Sequence, residues 1–474
     1  MFNKKAVFIN TASQIIVRFV TLGLTLVSVK LLASYLGTSG LGSYNTVTTY
    51  INFFIVLADL GLFSVTVREI AKNRENEKKV LSNVFVVRLI SALLASLAAI
   101  IIVFLTNYSQ EIKFGTLLGT GFLFFNLLGS VYDMVLQSRL KMQYSALAEF
   151  LSKLLSVVAL YIIVLFQGSF LVIMSTVALY GLFIFVFKWL FSRRYVVFGP
   201  EYNKEIAKWI FGLSWPIGIV FIMNNIFMKI DTLMVFGIKG SEAAGIYTVA
   251  YKVLEVSAFI GAYFANSLKP SISQYIHTNK IAVVRIIQKG LNVALFLATP
   301  ITLAAVIFSR EIILFLSTPE FLSGSLALVL LSLALPFIFF DALLAEIYIA
   351  NDERRLMIKI FIFIVSFNII LNSILIPIFS FSAAAFTTLL SEIVLLSINL
   401  YFTKKIVDFN LNLNIITKIV LAGVLTFTFV KLFLLLNLGI HFLIMIALIF
   451  VIYALWGYIL RIISPKELFE MLKK

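Results

Sequence analysis

Fourteen apolar runs, each long enough to cross the roughly 30 Å hydrocarbon core of a bilayer as a helix, follow one another along this chain. They lie at about 7–36, 42–67, 81–106, 114–138, 145–166, 169–190, 209–237, 243–268, 283–308, 323–350, 356–379, 382–403, 415–436 and 440–463. Hydrocarbon offers no hydrogen bonds, so a spanning segment must satisfy its own backbone, and uninterrupted runs of this length do so as helices. The expected fold is an all-α polytopic membrane protein of about 14 transmembrane helices. A soluble core is excluded by the amount of apolar material. Of the 474 residues, 61% are hydrophobic and 13% are charged, about half the charged share of a soluble domain.

The net charge of +16 invites a nucleic-acid partner, but the positions of the basic residues argue for topology instead. With the N-terminus inside, the inner segments and their flanks hold 28 of the 38 Lys and Arg, and the outer loops hold three, Lys113, Lys239 and Arg310. Such a bias is the positive-inside rule, and it places both termini in the cytoplasm of a multi-pass cell-membrane protein. No nucleic acid is needed to explain the charge. No cleavable leader is expected, because Lys4 and Lys5 run into a segment interrupted by Asn10, Thr11, Ser13 and Gln14 that continues to Arg18. The absence of cysteine excludes disulfides and thiol chemistry.

One signature occurs twice. Gly37, Gly42 and Tyr44 in YLGTSGLGSYNTV recur as Gly240, Gly245 and Tyr247 in GIKGSEAAGIYTV, each at an offset of 203 residues. Each copy sits between two apolar runs, where glycine permits the positive φ and close backbone approach of a tight turn. The offset maps the first four spans onto the seventh to tenth. Six spans is an even number, so the two halves enter the membrane in the same direction, as parallel repeats. The chain is expected to divide into two parallel-related six-helix bundles, 1–190 and 209–405, joined by a cytoplasmic linker, 191–208. Two extra helices and a cytoplasmic tail follow in 406–474. Two like bundles facing each other are the architecture of a transporter, with the repeated turns at Gly37, Gly42, Gly240 and Gly245 as its expected gate.

Four blocks carry a family resemblance: YLGTSGLGSYNTV with ADLGL (35–62), KIDTLMVFGIKGSEAAGIYTVAYKVLE (229–255), REIILFLSTPEFLSGSLALVLLSLALP (310–336) and FNIILNSILIPIFSFSAAAFTTLLSE (367–392). In this order they resemble the polysaccharide-transporter family, the O-antigen and exopolysaccharide flippases of the multidrug/oligosaccharidyl-lipid/polysaccharide exporter superfamily. The small glycine-containing turn usual after the proline reads Phe379-Ser380-Phe381-Ser382 here. The resemblance implies inward-open and outward-open states, a central cavity between the bundles, and a polyprenyl-pyrophosphate-linked glycan as cargo. It leaves the choice of coupling ion, Na+ or H+, open.

Ionisable and polar side chains inside spans are costly unless they meet water or a partner, so they are the candidate substrate-binding residues. Arg18 lies about eleven residues into the first span, roughly 16 Å along a helix, too deep to reach the inner surface with ease. It faces water, an anion, or an internal carboxylate such as Asp59. Lys30 is nearer the outer end and can snorkel. Asn45, Asn52 and Asp59 recur every seven residues and share one face of the second span. The second half offers Asn224, Asn225, Lys229 and Asp231, then Lys252 and Glu255, which stand three apart and can pair with each other. Read sharply, Lys229 and Lys252 join Arg18 and Lys30 as a cationic lining for a pyrophosphate.

Other polar residues have plainer readings. Asn126, Ser130, Asp133 and Gln137 on the fourth span read as interhelical glue, as do Asn368 and Asn372. Arg88 is expected to snorkel, Glu149 and Lys153 to pair along one helix, and Glu392 and Lys431 to be interfacial or paired. His277 and His441 are isolated and make no metal site. No phosphate-binding loop, zinc motif or nucleophile with its base occurs, so neither enzymatic activity nor a cofactor is expected. The leading expectation is a flippase for lipid-linked oligosaccharide working by alternating access. Its rivals are a lipid II flippase or cation-coupled multidrug exporter of the same superfamily. A membrane glycan polymerase or ligase is a poorer match, because it needs a large outer loop that this chain does not offer.

Overall fold

The computed structural model describes residues 4–436 and 439–462, with residues 4–16 as backbone only. It is helical throughout the described residues: α1 (Lys4–Asp59), α2 (Leu62–Lys72), α3 (Glu77–Leu105), α4 (Gln110–Ser138), α5 (Met142–Leu165), α6 (Phe170–Ser192), α7 (Lys204–Tyr275), α8 (Lys280–Ile307), α9 (Ser309–Leu316), α10 (Ser325–Ala350), α11 (Arg354–Ile406), α12 (Leu413–Leu435) and α13 (Phe442–Ile459). Eleven of these are long and apolar enough to cross a membrane. Three of the eleven are broken once by a single non-helical residue: α1 at Gly37 (φ 65°, ψ −170°), α7 at Gly240 (φ 84°, ψ −175°) and α11 at Ser380 (φ 55°, ψ −142°). Fourteen apolar segments result, as the sequence predicts, but three of the expected outer connections shrink to one residue each.

That conformation is essentially reserved for glycine, because a Cβ at positive φ with extended ψ collides with the backbone. Two of the three breaks obey the rule and Ser380 does not. The second span also ends earlier than its apolar run. Helix α1 stops at Asp59, Leu60 and Gly61 take positive φ, and α2 is a separate amphipathic helix. Its Leu62, Val65, Thr66 and Ile70 are buried while Lys72 is exposed.

The chain divides into two compact units, Met1–Thr248 with Leu316–Thr318, and Val249–Phe315 with Pro319–Lys474. In the first, α2, α3 and α4 enclose a core of Leu62, Val65, Ile70, Leu81, Val84, Val131 and Met134, against which linker residues Tyr195, Val196 and Phe198 pack. The 191–208 segment is therefore docked on the first bundle, and the Asn203 backbone N–H also donates to the Asn83 side chain. Helices α4 and α6 approach closely through small residues: a Cβ at Gly121 would meet the Ala178 Cβ at 2.9 Å, and one at Gly181 the Phe122 Cα at 2.8 Å. This is how membrane helices gain packing where lipid removes the hydrophobic drive.

In the second unit the core gathers Leu268 and Ile272 of α7, Ile287 and Leu291 of α8 and Leu343, Leu344 and Ile347 of α10. Helices α12 and α13 lean on α8 and the residue that follows it through Ala304, Phe308, Val430, Met445 and Ile449.

Candidate functional site

The repeated signature meets itself. In the first unit a Cβ built on Gly42 would stand 2.8 Å from both the Ser241 carbonyl carbon and the Gly245 nitrogen, and one built on Gly245 would stand 2.8 Å from the Thr38 carbonyl carbon. Thr38 and Ser241 occupy equivalent places in the two copies, as do Gly42 and Gly245, so the contact is reciprocal: each copy offers the same atoms to the other. The two main chains touch because neither carries a side chain there. Ser39 Oγ and Ser241 Oγ close the seam at 2.6 Å. Around it, Asp231 is buried, accepts from the Thr232 backbone N–H at 2.7 Å, and accepts from the Tyr247 hydroxyl. The signature tyrosine of the second copy is thus fastened across the Gly240 break by the aspartate that directly precedes Thr232.

Two other candidates in this unit, Asp59 and Arg18, each belong to an ion group. In one, Asp59 receives Arg88 on one carboxylate oxygen and the Gly61 backbone N–H, at 3.0 Å, on the other. Arg88 is fully buried, so the expectation that it snorkels is wrong. Its place on α3 faces the kink after the second span, and a buried guanidinium needs a carboxylate there.

In the other group, Arg18 pairs with Glu149 of α5, and not with Asp59. Glu149 is also 3.6 Å from Lys188 of α6, whose ammonium is 2.8 Å from Asp133 of α4. Exposure rises from Lys188 outward to Arg18. The Lys188 side chain is 8% exposed and Asp133 15%, against 25% for Glu149 and 39% for Arg18. Four spans thus converge on alternating charges whose outermost member is a guanidinium. Lys153 lies 5.7 Å from the Tyr180 ring centroid. Glu149, expected to serve Lys153, is turned to Arg18 and Lys188 because helix α5 presents it to α1 and α6.

Asn45 and Asn52 remain half-buried, and the Asn52 amide donates to the Thr48 carbonyl oxygen at 2.9 Å. Lys30 is exposed and Lys229 half-buried. In the second unit, Lys252 and Glu255 pair at 2.6 Å. Asn368 and Asn372 tie the two arms of α11 together: Asn372 donates to Asn368 at 2.9 Å, and Asn368 to Ser391 at 3.2 Å. Glu392 is buried rather than interfacial, within electrostatic reach of Asp341, which accepts from Asn399 at 2.9 Å. Sequence reasoning counted Lys188 among the inner flanks and missed it. The signal available was Asp133, a carboxylate deep in the fourth span that requires a cation from a neighbouring helix.

Among the solved structures the fold is similar to the lipid II flippase MurJ in an inward closed conformation, with a TM-score of 0.80 at 18% identity over 94% of this chain and 98% of that one. It is also similar to an inward-facing multidrug resistance MATE family transporter, with a TM-score of 0.66 at 15% identity over 82% and 94%. The architecture is thus the helical membrane fold that these two structures share. Residues 7–276, more than half of the chain, match the family described as polysaccharide biosynthesis protein, and the chain belongs to that family. Residues 216–378 also match the family described as MatE.

Two curated relatives are the capsular polysaccharide biosynthesis protein CapF of Staphylococcus aureus, 26% identical over 53% of this chain and 65% of that protein, and the probable flippase AglR of Haloferax volcanii, 30% identical over 34% and 35%. The chain thus spans less than two thirds of the length of either.

Proposed function

We propose that this chain is a flippase that carries a polyprenyl-pyrophosphate-linked oligosaccharide from the inner to the outer leaflet by alternating access. The observation that supports this most is Arg18, an accessible guanidinium deep in a span and backed by a buried lysine and two half-buried carboxylates. A guanidinium binds phosphate oxygens through two parallel hydrogen bonds, and low dielectric strengthens the pairing. In this reading the spans of 1–190 and 209–405 form the two moving bundles, 191–208 joins them, and 406–474 adds two helices. Lys30, Asn45, Asn52, Lys229, Lys252 and Glu255 meet sugar or phosphate, and Asp59 and Asp231 hold the frame around them. The seam at Gly42 and Gly245, hinged at Gly37 and Gly240, is the outer gate. The prenyl tail stays in lipid, both termini are cytoplasmic, and an Na+ or H+ gradient or the membrane potential drives the cycle without enzymatic chemistry.

Glycan export by Arg18 variants tests the reading. Arg18→Lys keeps the charge but loses the fork, and retains part of the export; Arg18→Gln abolishes it. Losing one charge-assisted contact costs about 1.5–3 kcal/mol, roughly a tenfold to hundredfold loss of binding. Full export by a well-expressed Arg18→Gln variant removes Arg18 from the mechanism. Extrusion of a cationic dye by the wild type, with no glycan phenotype on deletion, replaces the flippase reading by a drug exporter.

A further inference from the structure

The charge chain behind Arg18 has a property that a simple salt bridge lacks. Glu149 turns one carboxylate oxygen to Arg18 and the other toward Lys188. The first contact is a hydrogen-bonded ion pair. The second, at 3.6 Å, is an ion pair too long to be a hydrogen bond, because the Lys188 ammonium is engaged at 2.8 Å with Asp133. A flexible lysine stem needs to advance only about 0.8 Å to bring its ammonium within hydrogen-bond range of Glu149. Lys188 is also the more deeply buried cation, so an incoming anion reaches Arg18 first.

An anion that takes Arg18 away leaves Glu149 in a partly buried place, where a carboxylate without a cation is strongly disfavoured. We infer that Lys188 is a positioning residue for Arg18: it takes over Glu149 when the Arg18 guanidinium exchanges that carboxylate for a phosphate oxygen. Glu149 then has a cation throughout, and Asp133 holds Lys188 in reserve while the site is empty. No bond is made or broken in this exchange; one hydrogen-bonded ion pair is replaced by another. The inference rests on Arg18 as the phosphate contact and deepens that reading. It adds Glu149, Lys188 and Asp133 as the groups that set how readily Arg18 is released.

The test uses purified full-length protein and farnesyl pyrophosphate as the probe, with farnesol as the neutral control, titrated calorimetrically. Lys188→Met alone strands Asp133, so the informative variant is Lys188→Met with Asp133→Asn, which removes the buried pair and leaves the net charge unchanged. Glu149 then has lost its second cation, and affinity for farnesyl pyrophosphate falls at least about tenfold, the scale of one lost charge-assisted contact. Adding Glu149→Gln to that double variant removes the carboxylate that competes for Arg18 and restores affinity, a rescue that a merely structural role for Lys188 does not give. Unchanged affinity in the folded double variant, or no rescue in the triple, overturns the positioning role. Arg18→Gln separates this failure from the deeper one. If it abolishes binding while the double variant binds normally, only Lys188 is set aside. If it binds like the wild type, the Arg18 reading falls and the inference falls with it.

Discussion

Adding one methyl group at the seam should open it. An alanine at position 42 places a carbon 2.8 Å from the Ser241 carbonyl carbon and from the Gly245 nitrogen, both main-chain atoms that cannot turn aside. Carbon atoms pack at about 3.5 Å, and the Ser241 carbonyl oxygen stands closer to the added carbon than either of these atoms, so the two main chains must part by more than about 0.7 Å. The Ser39–Ser241 hydroxyl pair, at 2.6 Å, is then stretched past the range of an O–H···O bond. Overpacking costs about 1–3 kcal/mol and the lost hydrogen bond about 0.5–1.5 kcal/mol. Together they disfavour the closed seam by about 2–4 kcal/mol, roughly thirtyfold to nearly a thousandfold in its population. Because the contact is reciprocal, Gly245→Ala should act to the same degree. Gly23, on the same helix as Gly42, has nothing within 4 Å of an added Cβ, so Gly23→Ala should have no effect.

The readout is a disulfide between Ser39→Cys and Ser241→Cys. The chain has no native cysteine to confuse it. A protease site inserted at the exposed Gly199 makes the cross-link visible, since the two fragments stay together only when it has formed. Cross-linking should be efficient, should stop export until reductant is added, and should drop sharply with Gly42→Ala or Gly245→Ala. Undiminished cross-linking in Gly42→Ala refutes the steric argument, and a locked protein that still exports refutes the gate.

Two further outcomes follow from the geometry and a third from the distribution of Lys and Arg. Asp59→Asn leaves the fully buried Arg88 without its carboxylate and should cost about 3–5 kcal/mol of stability; thermal unfolding in detergent should show it, and Asp59→Asn with Arg88→Met should recover most of the loss. Ser380→Gly should raise stability by about 1–3 kcal/mol, since it relieves a side chain held at φ 55°, ψ −142°; a lower unfolding temperature would mean that the serine side chain matters more than its backbone. A cysteine at Asn76 should react with an impermeant thiol reagent only from the cytoplasmic side and one at Gln167 only from outside, and the reverse at both positions would overturn the proposed orientation.

The apolar runs and the two glycine breaks are legible in the sequence because each depends on residues close together in the chain, and the internal repeat because its two copies keep the same residues at a constant offset. What was hidden depends on how helices are turned toward each other. Arg18 finds Glu149 rather than Asp59, and Asp59 finds Arg88, because those choices follow from helix rotation. No periodicity in one segment records that rotation. The end of the second span was hidden for a different reason: apolar residues continue through Leu60 and Gly61 into α2, so hydropathy does not register a bend made by backbone angles. Ser380 was the reverse case. The missing glycine argued against a turn, yet the connection between two spans required one, and topology prevailed over residue preference.

The seam at Gly42 and Gly245 consists mainly of main chain, and main chain is the same whatever residues surround it. Substitutions at Arg18 or on the polar face of the second span, the proposed substrate contacts, leave those backbone atoms where they are. On the proposed reading, recognition and closure would occupy separate sets of atoms, and a lineage could change what it carries without redesigning how it shuts. The constraint falls instead on two hydrogen atoms, one on each glycine, that no other amino acid can supply.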